Sequence, residues 1–239
     1  MNLETSKMGS IKQIAIIVGI LFLIADVAGV LSLALIGPLQ GTPDHPDYLT
    51  KFAASPNLVL VAALLIFIMG AACTIIAFCL YPILRRYNEA LAIGAVGFRL
   101  VEGLLDIVVV IGLILLLALS QEYVKAGAPA SSYFQTLGVL IMTGINWVNN
   151  VGVLMTWCLA AAMYYYIFYQ MKLVPRWLSA WGLVGVPILI AGCLLLMFNF
   201  IDTSSHTLFA LPLALQELVF ALWLIVKGFN PFALVAEPQ

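Results

Sequence analysis

Apolar residues run almost unbroken through six stretches of the chain, separated by short segments rich in proline or charge. Each stretch has the length of a helix that crosses a hydrocarbon core, which takes about 20 residues. The pattern predicts spans at about residues 13–37, 58–84, 90–119, 133–170, 177–200 and 207–227.

The breaks between them carry helix punctuation. Pro38 ends the first span, and a Pro-rich loop follows with Pro43, Asp44, His45, Pro46 and Asp47. Ser55-Pro56-Asn57 reads as an N-cap with proline in the first turn. Arg85, Arg86 and Glu89 form a tight turn, and a polar loop runs from Ser120 to Ser132. The fourth span is too long to stand perpendicular, so it must tilt or extend past the membrane. Lys172, Pro175 and Arg176 mark the next turn, and Pro187 marks a kink in the fifth span. His206 closes the last short loop, and Lys227-Gly228 ends the sixth span.

Composition agrees with the pattern. The 239 residues are 64% hydrophobic and 9% charged, with a mean hydropathy of +1.13. Soluble domains carry roughly 25% charged residues, so a soluble fold is excluded. The expected architecture is an all-α integral membrane protein, a six-transmembrane-helix bundle forming one membrane domain over residues 1–239. The first apolar run follows Lys7 and Lys12 and is too long for the apolar region of a cleavable signal, so it reads as a retained helix. A net charge of −1 implies no nucleic-acid partner. The lipid bilayer is the expected surrounding, with a small molecule, ion or lipid as ligand; nothing in the loops identifies a protein partner.

Charge sets the expected orientation. With the N-terminus inside, the cytoplasmic side receives Lys7, Lys12, Arg85, Arg86, Lys172, Arg176 and Lys227, against Lys51 and Lys125 outside. Both termini are then cytoplasmic. Tyr81, Tyr87, Tyr164, Tyr165, Tyr166, Tyr169, Trp177 and Trp181 would form an interfacial belt on that side. Leu91-Ala-Ile-Gly-Ala-Val-Gly-Phe98 also resembles Ser179-Ala-Trp-Gly-Leu-Val-Gly-Val186. This faint repeat predicts three helical hairpins in series.

The third span holds Arg99, Glu102 and Asp106 on one stripe. A charge at a helix centre costs about 3 kcal/mol, so this stripe faces the bundle interior or a wet cavity, not lipid. Asp26 is midway along the first span, and Asn146, Asn149 and Asn150 share one face of the fourth. Gln216 and Glu217 are midway along the sixth. Asp26, Glu102, Asp106 and Glu217 outnumber Arg99, which can neutralise Glu102 along its own helix or Glu217 across the core. Acids short of counter-charge at membrane depth are what a proton relay or a cation site requires. The competing reading is structural, since polar side chains also hold helices together. Asp106, nearer the outer third, could simply reach outer water. The methionines and the Tyr164–Tyr166 run read as lipid-facing or packing residues.

No HExxH, GxSxG, P-loop or CxxC motif is present, so no catalytic residue is assigned. Cys73, Cys79, Cys158 and Cys193 lie in apolar runs away from histidine, and neither a disulfide, a metal nor a cofactor is expected.

Three sets of strings are distinctive. Leu80-Tyr-Pro-Ile-Leu-Arg-Arg86 precedes Gly97-Phe-Arg-Leu-Val-Glu-Gly103; Leu173-Val-Pro-Arg-Trp-Leu-Ser179 precedes Trp181-Gly182. Leu215-Gln-Glu-Leu218 precedes Trp223-Leu-Ile-Val-Lys-Gly-Phe-Asn-Pro231. Together they resemble the bacterial membrane family catalogued as domain of unknown function 4386. The resemblance implies a bacterial cytoplasmic membrane protein and no particular activity. It places Arg99, Glu102 and Glu217 within the strings that carry it. The leading functional expectation is binding or transport of a small molecule or ion at mid-membrane. The alternatives are an intramembrane enzyme acting on a hydrophobic substrate, and a structural subunit.

Overall fold

The computed structural model of the chain describes residues 2–40, 47–129 and 133–230, with side chains from residue 11 onward. Backbone polar groups in hydrocarbon must be satisfied within their own segment, which leaves the helix as the form for apolar runs of this length. The described residues are helical throughout their regular parts, with no strand. In order they are α1 (Asn2–Gln40), α2 (Tyr48–Ala54), α3 (Pro56–Leu84), α4 (Glu89–Lys125) and α5 (Tyr133–Trp147). A π-helical segment, Val148–Val153, joins α5 to α6 (Leu154–Met171), and α7 (Arg176–Met197) and α8 (Thr203–Val226) follow. Six helices are long and apolar enough to cross a membrane, with α5, the π segment and α6 acting as one.

Local hydrogen bonding moves several predicted boundaries. The first helix continues past Pro38 to Gln40. The second half of the Pro-rich loop is itself the short helix α2, because Tyr48, Leu49 and Phe52 bury against Leu113, Leu116 and Tyr123 of α4. His45 lies outside the described residues. Helix α4 runs on through Ser120 to Lys125, with the Ser120 hydroxyl turned back onto the Leu116 carbonyl of its own helix at 2.7 Å. At its start the Asn88 side chain accepts from Leu91 N at 2.9 Å. Helix α7 ends at Met197, where Asn199 turns left-handed (φ 58°) and Phe200 N donates to Leu195 O. Asp202 caps α8, accepting from Ser205 N at 2.8 Å, so that helix starts ahead of the apolar run and takes in His206.

The spans pack as a ring. Each lies against the next along the chain, and α8 closes on α1. Short connections make sequence neighbours spatial neighbours. Helix α4 is therefore one stave of the ring, flanked by α3 and the α5–α6 span. The two halves of the faint repeat meet on α6 from opposite sides. A Cβ on Gly94 of α4 would come within 2.7 Å of Met163 Sδ, and one on Gly182 of α7 within 2.6 Å of the Tyr165 ring. Both glycines allow close approach to the same helix.

The interior divides along the ring axis. One end gathers the start of α1, the α6–α7 turn and the last described residues, where Asn230 N donates to Leu173 O at 2.8 Å; this is called the terminal face below. Its core is dense and aromatic: Phe22, Tyr164, Tyr165, Phe168 and Phe220 are all buried, with Phe229 against Phe168. Tyr164 and Tyr165 thus belong to the core, not to an interfacial belt. They face the ring interior, whereas Tyr166 faces outward. The opposite half is built from α2, α4 and neighbouring aliphatic side chains. The outside of the bundle is apolar, with Val30, Leu33, Leu104, Leu140 and Leu208 exposed, as a bilayer environment requires.

Candidate functional site

Between the two halves lies a cavity of about 360 Å³. Its floor is at mid-bundle and its walls rise along α1, α3, α4 and the α5–α6 span toward Gln40. Six of the nine predicted site residues line it: Asp26, Arg99, Glu102, Asn146, Asn149 and Glu217.

Arg99 organises the floor. Its side chain is 2% exposed. Nη1 donates to Glu102 Oε1 at 3.0 Å and Oε2 at 3.2 Å, one helical turn away. Nη2 reaches across the ring to Tyr164 Oη at 2.8 Å and Glu217 Oε1 at 3.2 Å. Glu217 Oε1 also accepts from Tyr164 Oη and from Trp157 Nε1, each at 2.9 Å. The guanidinium carbon lies 5.5 Å from the Tyr164 ring centroid and 6.0 Å from that of Phe22. A buried charge persists only with such partners, and this one has two carboxylates, a phenol and two ring faces. Four helices thus converge on one guanidinium.

Asp26 stands apart from this network. It lines the cavity and interacts electrostatically with Glu217 and Arg99, yet its Oδ2 is buried without a hydrogen-bond partner. Three carboxyl groups therefore share the cavity with one guanidinium.

The other three predicted residues point elsewhere. Gln216 Nε2 donates to Leu178 O of α7 at 3.1 Å, away from the cavity. Asn150 lies in the π segment and does not line the cavity that Asn146 and Asn149 line. Its carbonyl accepts from Cys193 Sγ at 3.4 Å. Thr156 Oγ1 bonds the carbonyls of Gly152 and Val153, both at 2.9 Å, at the C-terminal edge of this wide turn. Asp106 does not reach water. It is 1% exposed, and neither oxygen has a hydrogen-bond partner. It adjoins a second hollow of about 320 Å³ between α3 and α4, lined by Gly70, Thr74 and Gly103.

Two further residues join the polar floor: Tyr164, which the sequence pattern assigned to packing, and Trp157, which it did not single out. The signal was their spacing: seven residues is two helical turns, so both project from one face of α6. Phe22 and Cys73 complete the floor.

The family model described as "Domain of unknown function (DUF4386)" matches residues 17–228. The chain belongs to this family. No curated protein and no solved structure matches it. The stretch matched by the DUF4386 model includes every residue of the polar floor, from Phe22 to Glu217.

Proposed function

We propose that this DUF4386 protein binds a small molecule or ion at mid-membrane and moves it across a bacterial cytoplasmic membrane. The observation that carries the reading is the cavity with its polar floor. Its volume of about 360 Å³ falls in the range of ligand pockets, and its few polar groups converge at one end of apolar walls. Beneath the floor the aromatic core seals the terminal face. The excess of basic residues on that side supports a cytoplasmic terminal face, with the cavity opening toward the outer side. A central site reachable from one side and closed on the other is one half of an alternating-access cycle. The other half requires Phe22, Tyr165 and Phe220 to part.

Native mass spectrometry of the detergent-purified protein tests the binding step, and flux into reconstituted vesicles tests movement. The expected result is a bound species and a flux, both lost when Leu113→Trp fills the cavity. Purified protein with neither, behaving identically to Leu113→Trp, overturns the reading.

One observation favours a second reading, an intramembrane enzyme. Val30 and Leu33 line the cavity and are also exposed on the outer surface of α1, so a hydrophobic substrate has a lateral way in from lipid. Glu102 and Glu217 would then serve as general acid and base. Turnover of a lipid that Glu217→Gln abolishes, with no vectorial transport, selects this version.

A further inference from the structure

We infer that the cavity takes an organic cation: a positively charged group carried on a compact apolar body, seated with its charge at Asp26. This rests on the binding reading above and names the ligand's chemistry.

The inference follows from what the floor leaves unpaired. The guanidinium of Arg99 is committed by both terminal nitrogens, and Glu217 Oε1 already accepts three hydrogen bonds. Asp26 Oδ2 receives none, although it is buried and on the cavity wall. Asp26, Glu102 and Glu217 leave the cavity short of positive charge. An anion brought to this floor would meet three carboxyl groups, with a single guanidinium already held by two of them. A cation would complete the balance, and in so apolar a setting each such interaction is stronger than in water.

The surroundings of Asp26 match a cation carried on carbon more than a hydrated metal ion. Phe22 and Trp157 line the same floor, and aromatic faces attract ammonium and related cations. Above them the walls are mostly aliphatic, with Ile36, Ile66, Val109, Leu113 and Ile145 covering an apolar body and Ser32, Asn146 and Asn149 as neutral polar breaks between them. At about 360 Å³ the cavity is at the small end of ligand sites, so it suits one compact molecule. Two sources offer the same chemistry: a free lipophilic cation, and the ammonium head group of a membrane lipid entering past Val30 and Leu33.

Binding of three probes of similar shape, measured in detergent micelles, tests the inference. Tetraphenylphosphonium is the cation, tetraphenylborate the anion and triphenylphosphine oxide the neutral control. Tetraphenylphosphonium is expected to bind and raise the melting temperature, the anion to do neither. Asp26→Asn keeps the shape and is expected to weaken the cation by about tenfold or more, the loss of one close opposite charge. Ile36→Trp, which crowds the walls without touching the floor, should block the cation as well, so the result does not hang on one variant. Displacement of tetraphenylphosphonium by phosphatidylethanolamine assigns the lipid head group as the source; no displacement assigns a free cation. If the anion or the neutral probe binds as tightly as the cation, or Asp26→Asn leaves the cation's affinity unchanged, the charge class is overturned while the binding reading stands. If none of the three binds, the organic-cation inference is overturned, and the binding reading is judged by the bound species and flux described above.

Discussion

Glu102 and Asp106 sit one turn apart on α4, at similar depth, both carboxylic acids and both almost completely buried. Glu102 faces the ring interior, where Arg99 bonds both its oxygens within a network fed by α6 and α8. Asp106 faces the seam between α3 and α4, and neither of its oxygens finds a hydrogen-bond partner. The seam is tight: a Cβ on Gly70 would come within 2.8 Å of Asp106 Oδ2. The difference teaches that depth alone does not make an acid part of a site. The donors that other helices bring to it do, and only the ring interior brings donors from several helices at once.

The largest test of that contrast removes the shared cation. Arg99→Met leaves Glu102 and Glu217 buried without their counter-charge, and should destabilise the protein by about 3–5 kcal/mol in equilibrium unfolding from mixed micelles. A loss no larger than that of an exposed substitution would break the comparison, since the network would then contribute nothing.

Single donors come next. Trp157→Phe and Tyr164→Phe each remove a hydrogen bond to Glu217 while keeping most of the packing. Each should cost about 1.5–3 kcal/mol, the range for a hydrogen bond to a charged partner. Measured together they should not be additive, because all three donors share one oxygen of Glu217.

Asp106 should behave with the opposite sign. Asp106→Ala removes a carboxyl group that has no partner, and should stabilise by about 1–3 kcal/mol, the desolvation cost of an unsatisfied polar group. Gly70→Ala should destabilise the parent and do so less in the Asp106→Ala background. There the carboxyl is gone and only the contact with the Asp106 Cβ, at 3.0 Å, remains. A destabilised Asp106→Ala would show that the carboxyl is engaged after all, and the two acids would cease to differ.

The smallest effect is at Asp202, an acid with donors but in water. Hydrogen bonding from Ser205, chiefly its side chain and then its backbone N–H, holds the Asp202 carboxyl below its ordinary range. A lowered folded-state value stabilises above the unfolded pKa and is lost as pH falls through the folded one. The melting temperature should therefore carry a slight acid-side decline that Asp202→Ala removes.

Much of the fold was legible in the chain. Six apolar runs became six helices because hydrocarbon permits no other backbone form of that length, whatever the tertiary contacts. Family membership was legible too, from strings such as Lys227-Gly-Phe-Asn-Pro231. The boundary errors fell where side chains, not apolarity, decide: the Asp202 cap and the burial of α2 against α4.

The site divides the same way. That Arg99 would pair with Glu102 or Glu217 followed from the sequence, because an unpaired charge at that depth is too costly to leave alone; that it holds both did not. Which other polar groups join them did not follow. Asn146 and Asn149 line the cavity while their neighbour Asn150 does not. Gln216 and Glu217 are adjacent, so they must point apart, and only the position of α7 decided which one faces the cavity. Tyr164 read as a packing residue and Trp157 was not singled out, because their polar atoms gain meaning only when α6 is set opposite Glu217 of α8. Composition and hydropathy determined that the chain crosses a bilayer and must hide its charges. The closing of the ring decided where they were hidden, and left Asp26 facing the cavity without a hydrogen bond on its buried oxygen.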